Sequence, residues 1–459
     1  MRAATVRRIQ LLTGTCLAAA VLAPWAPACA QDASPFRPER FDEDWSDVSD
    51  EHAPFGAQLK NIQVMSSVTV SFGGDARWRL SFLDSPRLGL GEVEADEWLL
   101  QRLLLHGELA FEDTARIFVQ LGAHDGIGRE IPSSTDDNSI DVQQAFFDLN
   151  AEGAHGDLTV RTGRQELVLG PRFVTARDSG NVRQRHDLVR VSYVNGPWRA
   201  DLFGGNPVVD ERGAFDDEAD AGQDFFGARL QRKFNQSALD VYAYELDRNT
   251  AALTGLTSHD DRVSIGGRWY GRSGPIDFDA EAVVQRGVFG EQDVRALGGA
   301  LDIGWRFPEA AMSPRIGARV TYGSGDSDLS DASQGTFAPP FASGSWFGQN
   351  GLASFSNTME VAALLGLTPH EDVAVNMKLA GVWRAETADY VYAGSTALAG
   401  TSGGDDTFVG ATPSVSIVWR PNDNITINAY GSYVSVGDEL VSRGADDVAY
   451  AHLSFAVRF

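Results

Sequence analysis

Segments of about ten residues in which apolar and polar side chains alternate recur from residue 68 to the C-terminus, and this period of two constrains the fold more than any other feature. Alternation puts successive side chains on opposite sides of an extended strand, so each segment has one apolar and one polar face. In Asn424-Ile425-Thr426-Ile427-Asn428-Ala429-Tyr430 the two classes alternate strictly. Ala449, Ala451, Leu453, Phe455, Val457 and Phe459 share one face of the last segment, opposite His452, Ser454 and Arg458. Near the start, Val68, Val70, Phe72, Ala76, Trp78 and Leu80 oppose Thr69, Ser71, Asp75, Arg77 and Arg79. Leu103, Leu105 and Leu109 oppose Arg102, His106 and Glu108, and Ile117, Val119 and Leu121 oppose Arg116 and Gln120. Further strands are expected at 141–150, 157–166, 186–194, 198–205, 223–233, 237–246, 261–270, 276–286, 295–306, 314–323, 356–366, 372–383, 409–420, 424–435 and 447–459. That makes about eighteen, an even number of the size that closes into an antiparallel barrel with a lumen.

The connections alternate too. Short links such as FEDT (111–114), NGPW (195–198), FNQS (234–237), GRSGP (271–275) and RPND (420–423) carry turn residues. Between them lie long links at 81–97, 124–140, 167–185, 206–222, 247–260, 324–355 and 384–408. Short turns on one rim and long loops on the other are the habit of transmembrane barrels, with both chain ends on the short-turn, periplasmic side. No stretch after residue 30 has the apolar length of a transmembrane helix. A mean hydropathy of −0.19 suits a barrel with an apolar outside and a polar inside. Trp78, Trp269, Trp305, Trp419, Tyr193 and Tyr433 fall near strand ends on the outward face, where an aromatic girdle belongs.

Three regions follow. Residues 1–30 combine basic Arg2, Arg7 and Arg8, an apolar run over 11–22, and Ala28-Cys29-Ala30 as a cleavage site, which reads as a secretory signal peptide. Both cysteines, Cys16 and Cys29, fall inside it, so the mature chain is expected to hold no disulfide. Residues 31–65 are acidic and punctuated by proline, and read as a periplasmic extension; residues 66–459 form the barrel.

The last strand, ending on Phe459, resembles the signal that bacterial outer-membrane barrels present to their assembly machinery. Outer-membrane lipid and that machinery are therefore expected partners, and the Gram-negative outer membrane the expected location. The stretch RTGRQELVLGPRFVTARDSGNVRQRHDLVRVSY resembles the GRQ-x-L-x-x-G-x-R segment, followed by N-x-R and a D-x-x-R strand, of the alginate export family of outer-membrane barrels. RFDEDWSDV, LKNIQV, VSFGGDARWRL, WLLQRLLLHGELAF and VQQAFFDL are similar to the family's earlier segments, and SNTMEVAALLGLTP to a later one. Ser179 and His186 depart from it, standing where members commonly carry an aromatic. The resemblance implies a monomeric eighteen-stranded pore that passes an acidic polysaccharide outward through an arginine-lined, loop-constricted lumen.

The residues are compatible with that. Apart from Lys60, Lys233 and Lys378 the 38 basic residues are all arginines, in a chain of formal net charge −25. Arg77, Arg79, Arg102, Arg116, Arg161, Arg190 and Arg229 are expected on inward faces, with Arg262, Arg268, Arg315, Arg319 and Lys378. Arg164 leads into the loop 167–185, which supplies Arg172, Arg177, Arg183 and Arg185 and is expected to fold into the lumen as a constriction. Guanidinium groups grip carboxylates bidentately, and rings of fixed cations select anions. The competing expectation is that these arginines pair with lumenal acids such as Asp75, Glu108, Glu166, Asp178 and Asp187 and stiffen the barrel. Asp277, Asp279 and Glu281, with Asp240 and Asp302, are expected to form an acidic wall facing the basic one, a transverse field that would also suit neutral sugars. Loop acids such as Asp216-Asp217-Glu218 read as solvated charge, with bridging divalent cations the alternative.

Enzymatic chemistry finds little footing. Gly400-Thr401-Ser402-Gly403-Gly404 matches G-x-S-x-G outside any strand–turn–helix context, the histidines form no H-x-x-x-H pair, and there is no glycine-lysine phosphate loop. No cofactor, resident metal or nucleic-acid partner is expected. The reading is a passive outer-membrane pore for an anionic polysaccharide or oligosaccharide such as a polyuronate, served by periplasmic export proteins. Its runner-up is a selective porin for small anionic or sugar solutes, and a barrel-embedded hydrolase stands further back.

Overall fold

A lipid environment offers no hydrogen-bond partners, so strands that cross it must pair on both edges and close on themselves. The computed structural model describes residues 34–45, 48, 53–349 and 353–459, and in it the alternating segments do this. The signal peptide expected over 1–30 lies outside the described residues. The barrel strands are β1 (Val68–Asp84), β2 (Ala95–Phe111), β3 (Ala115–Ile127), β4 (Asn138–Gly153), β5 (Gly156–Gln165) and β6 (His186–Asn195). They continue as β7 (Trp198–Val209), β8 (Gln223–Lys233), β9 (Ser237–Leu253), β10 (Leu256–Ser273), β11 (Ile276–Phe289) and β12 (Gln292–Arg306). The last are β13 (Arg315–Gly323), β14 (Thr358–His370), β15 (Val373–Trp383), β16 (Phe408–Asn422), β17 (Ile425–Val436) and β18 (Val448–Arg458). Each pairs antiparallel with its neighbour in sequence, and β1 closes the barrel on β18 from Asp75↔Arg458 to Asp84↔Ala449.

The two faces separate as alternation requires. In β7, Asp201 and Phe203 are 1% and 6% exposed and point inward, while Leu202 between them is 58% exposed on the lipid side. Trp78, Trp269, Trp305, Trp419, Tyr193 and Tyr433 all stand exposed on the outside, as expected of a girdle. No helix of the described residues is long and apolar enough to cross a membrane.

One connection differs from expectation. The link 247–260 is continuous strand, with β9 turning into β10 at Thr254-Gly255, both at positive φ (49° and 75°). That geometry is a type I′ hairpin turn. The hairpin extends beyond the girdled band, where the apolar alternation that marks a strand is no longer demanded.

Two of the long loops, 166–185 and the described residues 324–349 and 353–357, fold into the barrel. They meet through a parallel bridge between Val174 and Phe341, and Phe341 accepts from the Thr175 N–H at 3.0 Å. Leu167, Leu169 and Phe173 then pack with Phe337, Trp346, Phe347 and Phe355 against inward-facing Phe203, Phe225, Tyr242, Tyr244 and Val283. Part of the interior is thus an apolar core set within the polar interior expected from hydropathy. The inward aromatics of β7, β8 and β9 are the reason.

Leu202 faces lipid beside Val191 and Ala228 of the adjoining strands, midway up the barrel. Leu202→Arg is expected to destabilise the inserted barrel by about 2–4 kcal/mol, read as a lowered denaturant midpoint for loss of heat-modifiable gel migration. Leu202→Val should leave that midpoint near wild type.

Candidate functional site

Side-chain volume decides where the lumen stays open. The inward positions of β15 to β18 carry small polar residues, among them Asn376, Ser414, Ser416, Thr426, Asn428 and Ser454. A cavity of about 530 Å³ remains in front of them. Also lining it are Arg77 and Arg79 of β1, which adjoin β18, Arg102 of β2, and Arg177, Asp178 and Arg183 of the inward loop. Hydroxyls, amides and guanidinium groups therefore share one cavity.

Asp178 organises the cationic side. Its carboxylate takes Arg102 Nη1 at 2.8 Å and lies 3.5 Å from Arg183 Nε and 3.8 Å from Arg77 Nη1. Arg77 also donates to the backbone carbonyls of Asp178 (2.9 Å) and Gly180 (2.5 Å). Burial alone would raise the Asp178 carboxyl pKa, but Arg102, Arg183 and Arg77 together hold it well below the usual aspartate range. Arg183 is held above its usual value, because Glu166, at 2.8 Å, and Asp178 outweigh its burial. Gly344 of the second inward loop passes so close that a Cβ there would sit 2.6 Å from Ser179 Oγ. At the first departure from the family pattern, Ser179 thus stands between Gly344 and the cavity it lines. At the other departure, the His186 ring sits edge-on to Phe341 at 4.6 Å and takes the aromatic's place in the core.

Of the twelve arginines expected to contact cargo, Arg77, Arg79, Arg102, Arg177 and Arg183 border the cavity. The other seven do not, and acids hold them in the packed part of the interior. Arg116 and Arg161 share Asp148 (2.6 and 2.8 Å), with Glu108 3.4 Å from Arg116. Arg164 pairs with Asp187 (2.8 Å), Arg190 with Asp201 (2.9 Å) and Arg229 with Asp240 (2.8 Å). Arg185 is bound by Asp217 and Asp210. Arg172, fully buried, joins Asp279 (2.9 Å) and Glu281 (2.8 Å) beneath the Trp346 ring. The expectation of stiffening ion pairs therefore describes these seven better than cargo contact does.

The acidic wall is likewise neutralised. Asp277 takes Arg306 and Arg315, Asp279 takes Arg172 and Arg268, and Asp302 takes Arg315 and Arg319. None of Asp277, Asp279, Glu281, Asp240 or Asp302 borders the cavity. Of the acids singled out in the sequence, Asp75 and Asp178 do, Asp75 lying 3.7 Å from Arg102.

Arg420 and Arg458, at the periplasmic ends of β16 and β18, border the cavity and were missed. Their inward parity was the available signal. Among the described residues Arg79, Arg420 and Arg458 have no carboxylate at ion-pair distance, and the buried Arg79 Nε has no hydrogen-bond partner. Asp141, Asp216 and Asp217 converge closely enough to share a cation. Asp141 already accepts the backbone N–H groups of Asp216 (2.9 Å) and Asp217 (3.2 Å), and Asp217 answers Arg185. Ser402 lies in the loop after β15, where its carbonyl accepts from Arg443 at 2.8 Å.

A model of the alginate export family matches residues 68–453. No curated protein matches the chain in sequence. Among solved structures, OpdO of Pseudomonas aeruginosa has a TM-score of 0.57 at 11% identity, covering 85% of this chain and 97% of its own. OpdQ of the same organism gives 0.57 at 13% identity, with 85% and 97% covered. A BenF-like porin from Pseudomonas fluorescens Pf-5 gives 0.56 at 8% identity, with 85% and 99% covered. At such identities the likeness is one of fold.

Asp178→Asn would leave three guanidinium groups without their shared anion, an expected loss of about 3–5 kcal/mol that a lowered unfolding midpoint would register. The depressed Asp178 carboxyl gives a pH signature. Its stabilising contribution is complete above the ordinary aspartate pKa of 3.8 and is lost only as pH falls through its lower folded value. The inward loop of the wild type should stay protease-resistant at pH 4, and that of Asp178→Asn should be cleaved already at pH 7.

Proposed function

Since the chain belongs to the alginate export family, a family of outer-membrane pores, we propose that its barrel passes an anionic polysaccharide such as a polyuronate. The observation that carries this is the cavity's composition: the cations Arg79, Arg420 and Arg458 lack carboxylate partners among the described residues and stand in one water-filled space with a wall of hydroxyls and amides. A sugar carboxylate supplies the missing counter-charge to a desolvated guanidinium. The sugar hydroxyls find partners in Asn376, Ser414, Ser416 and Asn428. Because Arg79, Arg420 and Arg458 stand on barrel strands, successive carboxylates can be handed from one fixed cation to the next. Binding that is favourable but divided over several sites lets a chain enter and leave. The driving force comes from outside the pore, from synthesis or a periplasmic partner.

The cavity volume favours a second reading. About 530 Å³ is the scale of a sugar or two, not of an extended chain. A selective porin for small anionic or sugar solutes would need no more.

Single-channel recording in planar bilayers under a KCl gradient separates these. An anion-selective current, blocked more strongly as oligo-uronates lengthen, is the expected result. Arg79→Gln and Arg420→Gln should each weaken the block roughly tenfold, the worth of one charge-assisted hydrogen bond. Block by a monouronate with no gain from longer oligomers would favour the small-solute porin. A cation-selective channel indifferent to uronates would sink both.

A further inference from the structure

The floor of the cavity is made by a segment that belongs to no strand. Residues 34–45 were expected as part of a periplasmic extension; they lie inside the barrel near its periplasmic end, and Ser34 and residues 36–40 line the cavity. Arg40, 4% exposed, donates to the carbonyls of Gly74 (2.9 Å) and Phe459 (2.8 Å) at the seam between β1 and β18. The Phe41 ring sits edge-on to Phe118 of β3 (5.9 Å) and Phe146 of β4 (5.3 Å), on the lumenal wall a few strands from the seam, under the Arg161 guanidinium at 4.2 Å. Arg116 donates to the Phe41 carbonyl at 2.6 Å, and Arg183 of the inward loop donates to the Pro38 carbonyl at 3.1 Å.

We infer that residues 34–45 are a displaceable plug, closing the periplasmic mouth in this structure and withdrawing from it when the pore conducts. Withdrawal would break no rung of the barrel, since the segment contributes no strand to the sheet. It would take Glu43 from Lys60, 3.5 Å away, but leave the neighbouring arginines paired. Arg116 keeps Asp148, Arg183 keeps Glu166, and Arg40 leaves together with its own partner Glu43. A buried group that gives up its neighbour without losing its counter-ion avoids the large penalty of a broken ion pair. The segment is held by side-chain hydrogen bonds and by Phe41 against Phe118 and Phe146, without the backbone ladder that fixes the strands, which makes it weaker than the sheet around it. The carbonyls of Pro38 and Phe41 occupy donors of Arg183 and Arg116 that would bind a carboxylate more strongly, so an arriving polyanion competes for the plug's own holds. The inference rests on the barrel being a pore and not on what the cargo is.

A disulfide lock tests it in the mature chain, which has no cysteine beyond residue 29. Phe41→Cys with Phe118→Cys would tie the segment to the wall, and conductance in KCl is read before and after reduction of the same sample. The oxidised protein should show a fixed low conductance, and reduction should release excursions to a level about twofold higher or more, as a wider mouth requires. Equal conductance in both, with the cross-link verified on a gel, overturns the plug, as does failure of the pair to cross-link. Deletion of 34–45 gives a second reading. A folded, heat-modifiable barrel locked in the high-conductance level supports the inference, whereas unchanged conductance or failure to fold makes the segment part of the scaffold and refutes it.

Discussion

Backbone hydrogen bonding in a medium without water is the constraint from which the rest of this molecule follows. The β1–β18 pairing removes the two free edges that an open sheet would expose to lipid. Once the sheet is closed, the outward residues face hydrocarbon and the inward ones enclose a space too wide for strand side chains alone to fill. What occupies that space then determines what can pass.

The interior solves two problems with one set of loops. Its apolar core is built where β7 to β9 send Phe203, Phe225, Tyr242 and Tyr244 inward, and residues 166–185 and 324–349 bring the complementary Phe173, Phe337, Phe341 and Trp346. Its charged groups are satisfied on the same loops. Arg172 reaches across to Asp279 and Glu281, and Asp178 reaches back to Arg102 and Arg77. A buried guanidinium without a partner is expensive, so most arginines are held by acids as scaffolding. The few left without a carboxylate partner among the described residues stand where small side chains on β15 to β18 keep water in the barrel. Charge compensation is thus incomplete where the lumen stays open, and it is there that the proposed cargo would be met.

Much of the barrel was legible in the sequence because its determinants are local. Alternation between Asp201, Leu202 and Phe203 depends only on the geometry of an extended chain. The hairpin at Thr254-Gly255 was hidden for the converse reason, since strands that rise clear of the girdled band need not alternate. Site assignment was harder. Arg172 and Arg177 look equivalent in the sequence, five residues apart on one loop, yet one is sealed beneath Trp346 and the other opens to the cavity. Nothing local distinguishes them, because Asp279, Glu281 and Trp346 arrive from about 110 or more residues away.

By itself the sequence determined the class of architecture, the number of strands, which side chains meet lipid, and that the arginine-rich loop enters the lumen, because periodicity, turn chemistry and resemblance are properties of neighbouring residues. Only the tertiary structure decided which arginines acquire a counter-ion, where the lumen stays open, and that residues 34–45 enter the barrel. Those outcomes turn on which side chains converge from distant strands and on the volume they fill. Charge compensation and packing are relations between distant residues, and a chain read in order does not display them.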